Sequence, residues 1–154
     1  MTQRREVMKT GAKLAGLLAT MSLLPRDVLA QSGWPKAAFE AKSLDDVAKA
    51  LGVAKPAESK DLTLQGPDIA ENGAVVPVGA TTTLPGVKRV MLLVEKNPNA
   101  LAAVFDLTDG VEPAVSTRVK MGQTSNVYAV AVLADNRVLY AQKEIKVTLG
   151  GCGG

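Results

Sequence analysis

The only cysteine of this 154-residue chain, Cys152, stands among four glycines in the closing run Gly150-Gly151-Cys152-Gly153-Gly154. A cysteine is usually either a small buried hydrophobe or a reactive group. This one has almost nothing beside it with which to be buried. Ordering one residue costs about 1–2 kcal/mol of backbone entropy, and glycine loses the most freedom while offering no apolar surface in return. The run is therefore expected to hang from the body that precedes it as a flexible arm. Extended chain covers about 3.3–3.6 Å per residue, which lets the thiol reach about 10 Å beyond Leu149. A thiol on a short arm, slim enough to enter a cleft in another protein, is the chemistry this pattern suggests.

Few other residues could do chemistry. The chain has no histidine, which removes Ser-His-Asp and Cys-His nucleophile activation, histidine zinc sites and imidazole haem ligation. One cysteine cannot form a Cys-x-x-Cys redox pair or an internal disulfide. Asp61, Asp68, Glu71 and Asp106 read as solvated strand ends. The segment from Gly79 to Gly86 lacks the lysine that a phosphate-binding loop requires and reads as a plain loop. No catalytic residue, cofactor or metal is expected. Three readings of Cys152 stay open: a carrier thiol, a handle for an intermolecular disulfide, and an incidental tail residue. An exported thiol oxidoreductase, with the cysteine cycling through its own oxidised forms, would need an activating cation or a resolving thiol, and neither stands beside Cys152. An assembly module would have no use for the tail.

The other end of the chain carries an address. Arg4 and Arg5 lead into the apolar run from Leu14 to Leu24, and Val28-Leu29-Ala30 forms a small-residue exit. The run is shorter than the roughly 20 residues of a transmembrane helix, so stable membrane association is not expected. Arg4-Arg5-Glu6-Val7-Met8-Lys9 follows the twin-arginine export pattern, departing at Gln3, where Ser or Thr is commoner. Residues 1–30 are expected to be a signal peptide whose loss leaves 124 residues. They hold five basic and two acidic groups, so the net charge of +3 falls to zero without them. No basic patch with aromatics remains, and nucleic-acid binding is not expected.

Between the two ends lies the body that must position the arm. Residues 31–60 read as a helical segment and connector. Pro35 to Ala41 should make a turn or two with Phe39 inward. Ser43 and Asp46 match a capping box, followed by Leu44, Val47, Ala48 and Leu51 on one helix face and Gly52 as the terminator. Residues 61–149 change to period two, with strands expected at 62–65, 75–78, 87–94, 101–107, 115–121, 127–133 and 138–149. Asn72-Gly73 signals a turn of positive φ, and Pro77 belongs at an edge or bulge. Seven or so strands divided by Gly, Pro and Asn imply a mainly β chain built as an antiparallel sandwich. In the last strand Ile145, Val147 and Leu149 should share one face. The arm, residues 150–154, follows. With aromatic content at 3%, the core must be aliphatic.

The terminal Gly-Gly-Cys-Gly-Gly, the twin-arginine leader and the stretch from Ile69 to Val78 (Ile-Ala-Glu-Asn-Gly-Ala-Val-Val-Pro-Val) together resemble the SoxY family, the sulfur-carrying subunits of the bacterial Sox sulfur-oxidation system. The resemblance implies an immunoglobulin-like sandwich in the periplasm, held in a heterodimer with a SoxZ-like subunit. It implies that Cys152 is the covalent attachment point and that Gly150, Gly151, Gly153 and Gly154 form the arm. It further implies transient docking to a haem-containing conjugating enzyme, a sulfate-releasing hydrolase and a sulfane dehydrogenase. These partners would supply metals, activated water and electron acceptors.

Overall fold

The computed structural model describes residues 35–150. The proposed signal peptide, Cys152, Gly151, Gly153 and Gly154 lie outside them. Two short helices, α1 (Lys36–Glu40) and α2 (Leu44–Ala50), precede nine strands: β1 (Ala57–Glu58), β2 (Leu62–Gln65), β3 (Ile69–Ala70), β4 (Val76–Thr82), β5 (Val87–Val94), β6 (Leu101–Asp106), β7 (Ala114–Val119), β8 (Ser125–Leu133) and β9 (Val138–Val147). The described chain is mainly β, in two sheets. The larger runs β1-β9-β8-β5-β6, with β3 also on β9, and the smaller runs β2-β4-β7.

One core lies between the sheets. Leu62, Val76, Val78, Ala80 and Val119 from the small sheet meet Val90, Leu92, Val94, Val127, Ala129, Ala131 and Ile145 from the large one. Burying one such side chain contributes about 1.5–3 kcal/mol, and nearly all of them are aliphatic. A second cluster covers the outer face of the large sheet. There Ala38 and Val47 of the helices pack on Met91, Leu93, Leu101, Val130, Val132 and Val138. This layer explains why β5 and β8 read as unbroken apolar runs. Val90–Val94 and Ala129–Leu133 are buried at every position because both faces are covered.

α2 begins on its expected cap, with the Asp46 N–H donating to Ser43 Oγ at 3.2 Å. The acidic partner behaves differently from a full capping box. Asp46 Oδ2 accepts from the Ser43 hydroxyl at 2.7 Å, an interaction suited to a side chain one methylene shorter than the usual Glu. Gly52 ends the helical segment at φ +65°, as its position suggested. Leu44, Val47 and Leu51 pack into the cluster on the outer sheet face, and Ala48 is buried.

Several expectations need correction. The segment after Gly79 is no plain loop at its start, because Gly79 to Thr82 complete β4 and pair with β2 and β7. Small and threonine side chains suit a strand whose neighbours lie close, which the loop-like composition hid. The sheets are not purely antiparallel, since β1 and β3 both pair with β9 in parallel. These two-residue strands are too short to leave a period. Asn72-Gly73 turns without positive φ, as neither residue is among those with left-handed backbone. Instead Asn72 Oδ1 accepts from Ala74 N–H at 2.9 Å, the side-chain mimic of a turn. Pro77 lies in the middle strand of its sheet. However, β2 stops pairing at Gln65 opposite Gly79, so at Pro77 the strand is locally an edge. β9 ends at Val147, and Leu149 does not share the burial of Ile145; it is 67% exposed.

Candidate functional site: the root of the C-terminal tail

β9 carries the tail, and its position in the sheet makes it rigid. It pairs with β8 from Val132↔Val138 through Ser125↔Ile145, with β1 and β3 on its other side. Near its end the side chains alternate between core and solvent. Ile145 is fully buried while Glu144 and Lys146 are exposed.

Past Val147 the chain leaves the sheet but not the body. Val147 N–H donates to Thr124 Oγ1 at 3.0 Å. Lys146 N–H donates to the Asp68 carbonyl at 3.0 Å and Thr148 N–H to the Ala70 carbonyl at 3.1 Å. The Thr148 hydroxyl donates to the Glu71 carbonyl at 3.1 Å. Gly73 N–H donates to the Leu149 carbonyl at 2.7 Å, and Met121 N–H donates to the Gly73 carbonyl, also at 2.7 Å. Three segments distant in sequence thus meet at the root: 68–73, 121–124 and 147–149. Met121 is fully buried beneath them.

The charges around this junction are balanced. Lys143 Nζ reaches Asp68 Oδ1 at 2.8 Å and donates to the Gly66 carbonyl at 2.7 Å. The hydrogen bond from Lys143, and then its charge, hold the Asp68 carboxyl below the ordinary carboxylate range. Lys143 is thereby committed to the connector between β2 and β3. Large apolar residues are exposed on or next to these segments: Ile69, Val75 and Leu149 are each more than half exposed.

Of the residues singled out from sequence, Gly150 is described here. It sits beside Gly122, where an added methyl group would stand 2.3 Å from the Gly122 carbonyl oxygen. Cys152 and the remaining glycines fall outside the described residues. Asp61, Asp68, Glu71 and Asp106 are exposed and do not converge. Asp106 pairs with Arg89 at 2.5 Å. Among the described residues no three His, Cys, Asp or Glu side chains gather as a metal site. The roles of Gly73, Met121 and Gly122 at the root went unread in the sequence. Their work is done by backbone groups, which leave no residue-type signature.

A cavity of about 330 Å³ lies elsewhere, between α2 and the outer sheet face, lined among others by Leu44, Glu95, Tyr128, Tyr140 and Gln142. The two tyrosine rings are 6.0 Å apart, centre to centre. Burial, and then the Glu95 carboxylate, raise the Tyr128 hydroxyl above its ordinary value. Tyr140 stands seven residues before Val147, about 23 Å along an extended strand. The cavity is therefore separate from the root.

Comparison with known proteins agrees with a carrier. The family model "Sulfur oxidation protein SoxY" matches residues 47–152. Among solved structures, the sulfur carrier protein SoxY from Chlorobium limicola f thiosulfatophilum is 33% identical. The match covers 68% of this chain and 94% of that one, with a TM-score of 0.61. A superoxide reductase (neelaredoxin) from Ignicoccus hospitalis is 18% identical over 56% of this chain and 79% of its own, with a TM-score of 0.50. That second likeness concerns the fold alone. Among curated proteins no sequence matches significantly. SoxY proteins carry sulfur and are not enzymes, in agreement with the expectation drawn from the missing catalytic groups. Because the family match spans both sheets and runs through Cys152, the chain belongs to the SoxY family of sulfur oxidation proteins.

Proposed function

We propose that this chain is a periplasmic carrier that holds thiosulfate-derived sulfur covalently on Cys152 and presents it to partner enzymes. The observation that carries this reading is the family match ending on Cys152, joined to a body whose last strand is paired on both sides. The two packed sheets are of the immunoglobulin-like kind. Residues 1–30 serve as a twin-arginine signal. A SoxZ-like subunit completes the working heterodimer, and sedimentation with and without that subunit tests this pairing. A chain that stays monomeric with the subunit at micromolar concentration would refute it.

The chemistry divides between carrier and partners. A haem-containing enzyme joins the Cys152 thiolate to thiosulfate by forming a sulfur–sulfur bond and passing two electrons to its acceptor. The product is a cysteine S-thiosulfonate. A hydrolase then adds water and breaks the bond to the terminal sulfonate, releasing sulfate and two protons and leaving a persulfide on Cys152. A sulfane dehydrogenase oxidises that outer sulfur to a sulfonate, with oxygen from three waters and six electrons removed. A second hydrolysis returns the thiolate. This chain supplies the nucleophile and its mounting; its single cysteine offers no resolving thiol, so the two electrons of the first step must leave through a partner.

Intact-protein mass spectrometry of the reconstituted cycle tests the reading. The mature chain alone should show no turnover of thiosulfate. With the conjugating enzyme and an electron acceptor it should gain the mass of the thiosulfate adduct on Cys152, which the hydrolase then shortens. Cys152→Ser should retain the fold and lose the adduct. Normal sulfur oxidation by Cys152→Ser, or an adduct on another residue, would refute the proposal.

A further inference from the structure

Gly150 and Gly151 are identical in type, yet their surroundings need not be. Gly150 follows Leu149, whose carbonyl is held by the Gly73 N–H at 2.7 Å. A methyl group built on Gly150 would stand 2.3 Å from the Gly122 carbonyl oxygen and 3.3 Å from the Gly122 carbonyl carbon. Both obstacles are backbone, and real Cβ atoms do not approach a carbonyl oxygen so closely. Gly122 is fixed in turn, because Met121 before it is fully buried and donates its N–H to the Gly73 carbonyl. The backbone of Gly150 is not in the left-handed region. Its lack of a side chain is therefore required by close approach and not by an unusual φ.

We propose that Gly150 is an anchor and not a joint: it fixes the point and direction in which the tail leaves the body, through the Gly122 contact and the Leu149–Gly73 hydrogen bond. This deepens the carrier reading and rests on it for its functional meaning, although the geometry stands without it. With the anchor at Gly150, the two residues to Cys152 can span at most about 7 Å of backbone. Any group that reacts with the sulfur must come that close to Gly150, so a partner's cleft has to approach segments 68–73 and 121–124. An arm pivoting from Leu149 would reach further and in more directions. Gly150 is thus a positioning residue, acting through the chain that follows it.

Because Cys152 is the only cysteine, a nitroxide label can be placed on it in the full mature chain without other changes. Hydrogen exchange at the Gly73 amide and the electron spin resonance spectrum of the label then report the two sides of the anchor. In the wild-type chain the Gly73 amide should be protected. Gly150→Ala should speed its exchange about tenfold or more, the loss expected when a local hydrogen bond opens, and should alter the mobility of the label. Gly151→Ala should leave Gly73 exchange within about twofold of wild type while slowing the label. Gly122→Ala serves as the control, since a methyl group there meets open space; it should leave Gly73 exchange unchanged. An unprotected Gly73 amide in the wild type would overturn the proposal, even if Gly150→Ala does not accumulate as folded protein. So would equal exchange rates in Gly150→Ala and Gly151→Ala. Neither readout requires sulfur loading by partner enzymes, so failure of the anchor and failure of the carrier reading are distinguishable. The second shows only as a missing mass adduct on Cys152.

Discussion

Replacing Ile145 with alanine tests whether the tail is mounted on a packed strand. Ile145 is fully buried, pairs across β9 and β8 with Ser125, and belongs to the core between the sheets. Its Cδ1 lies 3.1 Å from where a Cβ on Gly66 would stand, so it also supports the connector after β2. The substitution removes three carbons. At about 0.8 kcal/mol per buried carbon, the transfer loss alone is roughly 2.4 kcal/mol. The cavity adds to this, because sheets paired on both sides cannot collapse into it, and the total should fall at about 3–4 kcal/mol within the usual 2–5. Domains of this size are stable by about 5–15 kcal/mol, so the variant should remain folded at 25 °C. Urea titration followed by circular dichroism should show a lower midpoint with an unchanged slope. Sulfur loading of Cys152 at 25 °C, followed by mass, should stay close to wild type. A loss below about 1 kcal/mol would refute the packing assigned to Ile145. Loss of loading while the dichroism stays native would show that β9 influences the reactive tail by more than holding it in place.

Ser125 is a buried polar residue in β8 whose Oγ accepts from the Lys96 N–H at 3.0 Å. Ser125→Ala should leave that donor without its partner and cost about 1–3 kcal/mol, measured by the same titration. The carboxyls of Asp68, Asp109 and Asp135 are held below their ordinary range by hydrogen bonds and charge from Lys143, Lys88 and Arg137 respectively. Their folded pKa values lie under the unfolded ones. The stability they contribute is therefore present above about pH 4 and is lost as pH falls through the folded values. All three are solvent-exposed, so the effect should be small and should shrink with salt. Melting curves of Asp68→Asn should fall less steeply than wild type below about pH 4, and an unchanged acid slope would refute the Lys143 assignment.

The legible parts of the fold were those with local causes. Ser43 and Gly52 marked the two ends of α2 because a cap and a left-handed residue act on their own neighbours. The strand from Val87 to Val94 was readable from apolar run and length alone. β3 was not, because its existence depends on Ile69 and Ala70 lying opposite Lys146 and Val147, far along the chain. Nothing at Ile69 announces that partner.

The same division holds at the functional end. Sequence alone determined that Cys152 has no second thiol and no histidine to work with, and that small residues surround it. Those are properties of residue type; they left a carrier thiol, a disulfide handle and an incidental tail residue open, and the resemblance to the SoxY family pointed to the carrier. Tertiary structure decided what surrounds Gly150. Nothing in the sequence marks it among the glycines of the closing run, and it is the approach of the Gly122 carbonyl, 28 residues earlier, that leaves no room for a side chain there. It also decided that Leu149, which alternation placed with Ile145 and Val147, lies exposed after β9 has ended. Alternation assigns a face only while the strand continues, and where it stops depends on which distant carbonyls and N–H groups are there to pair.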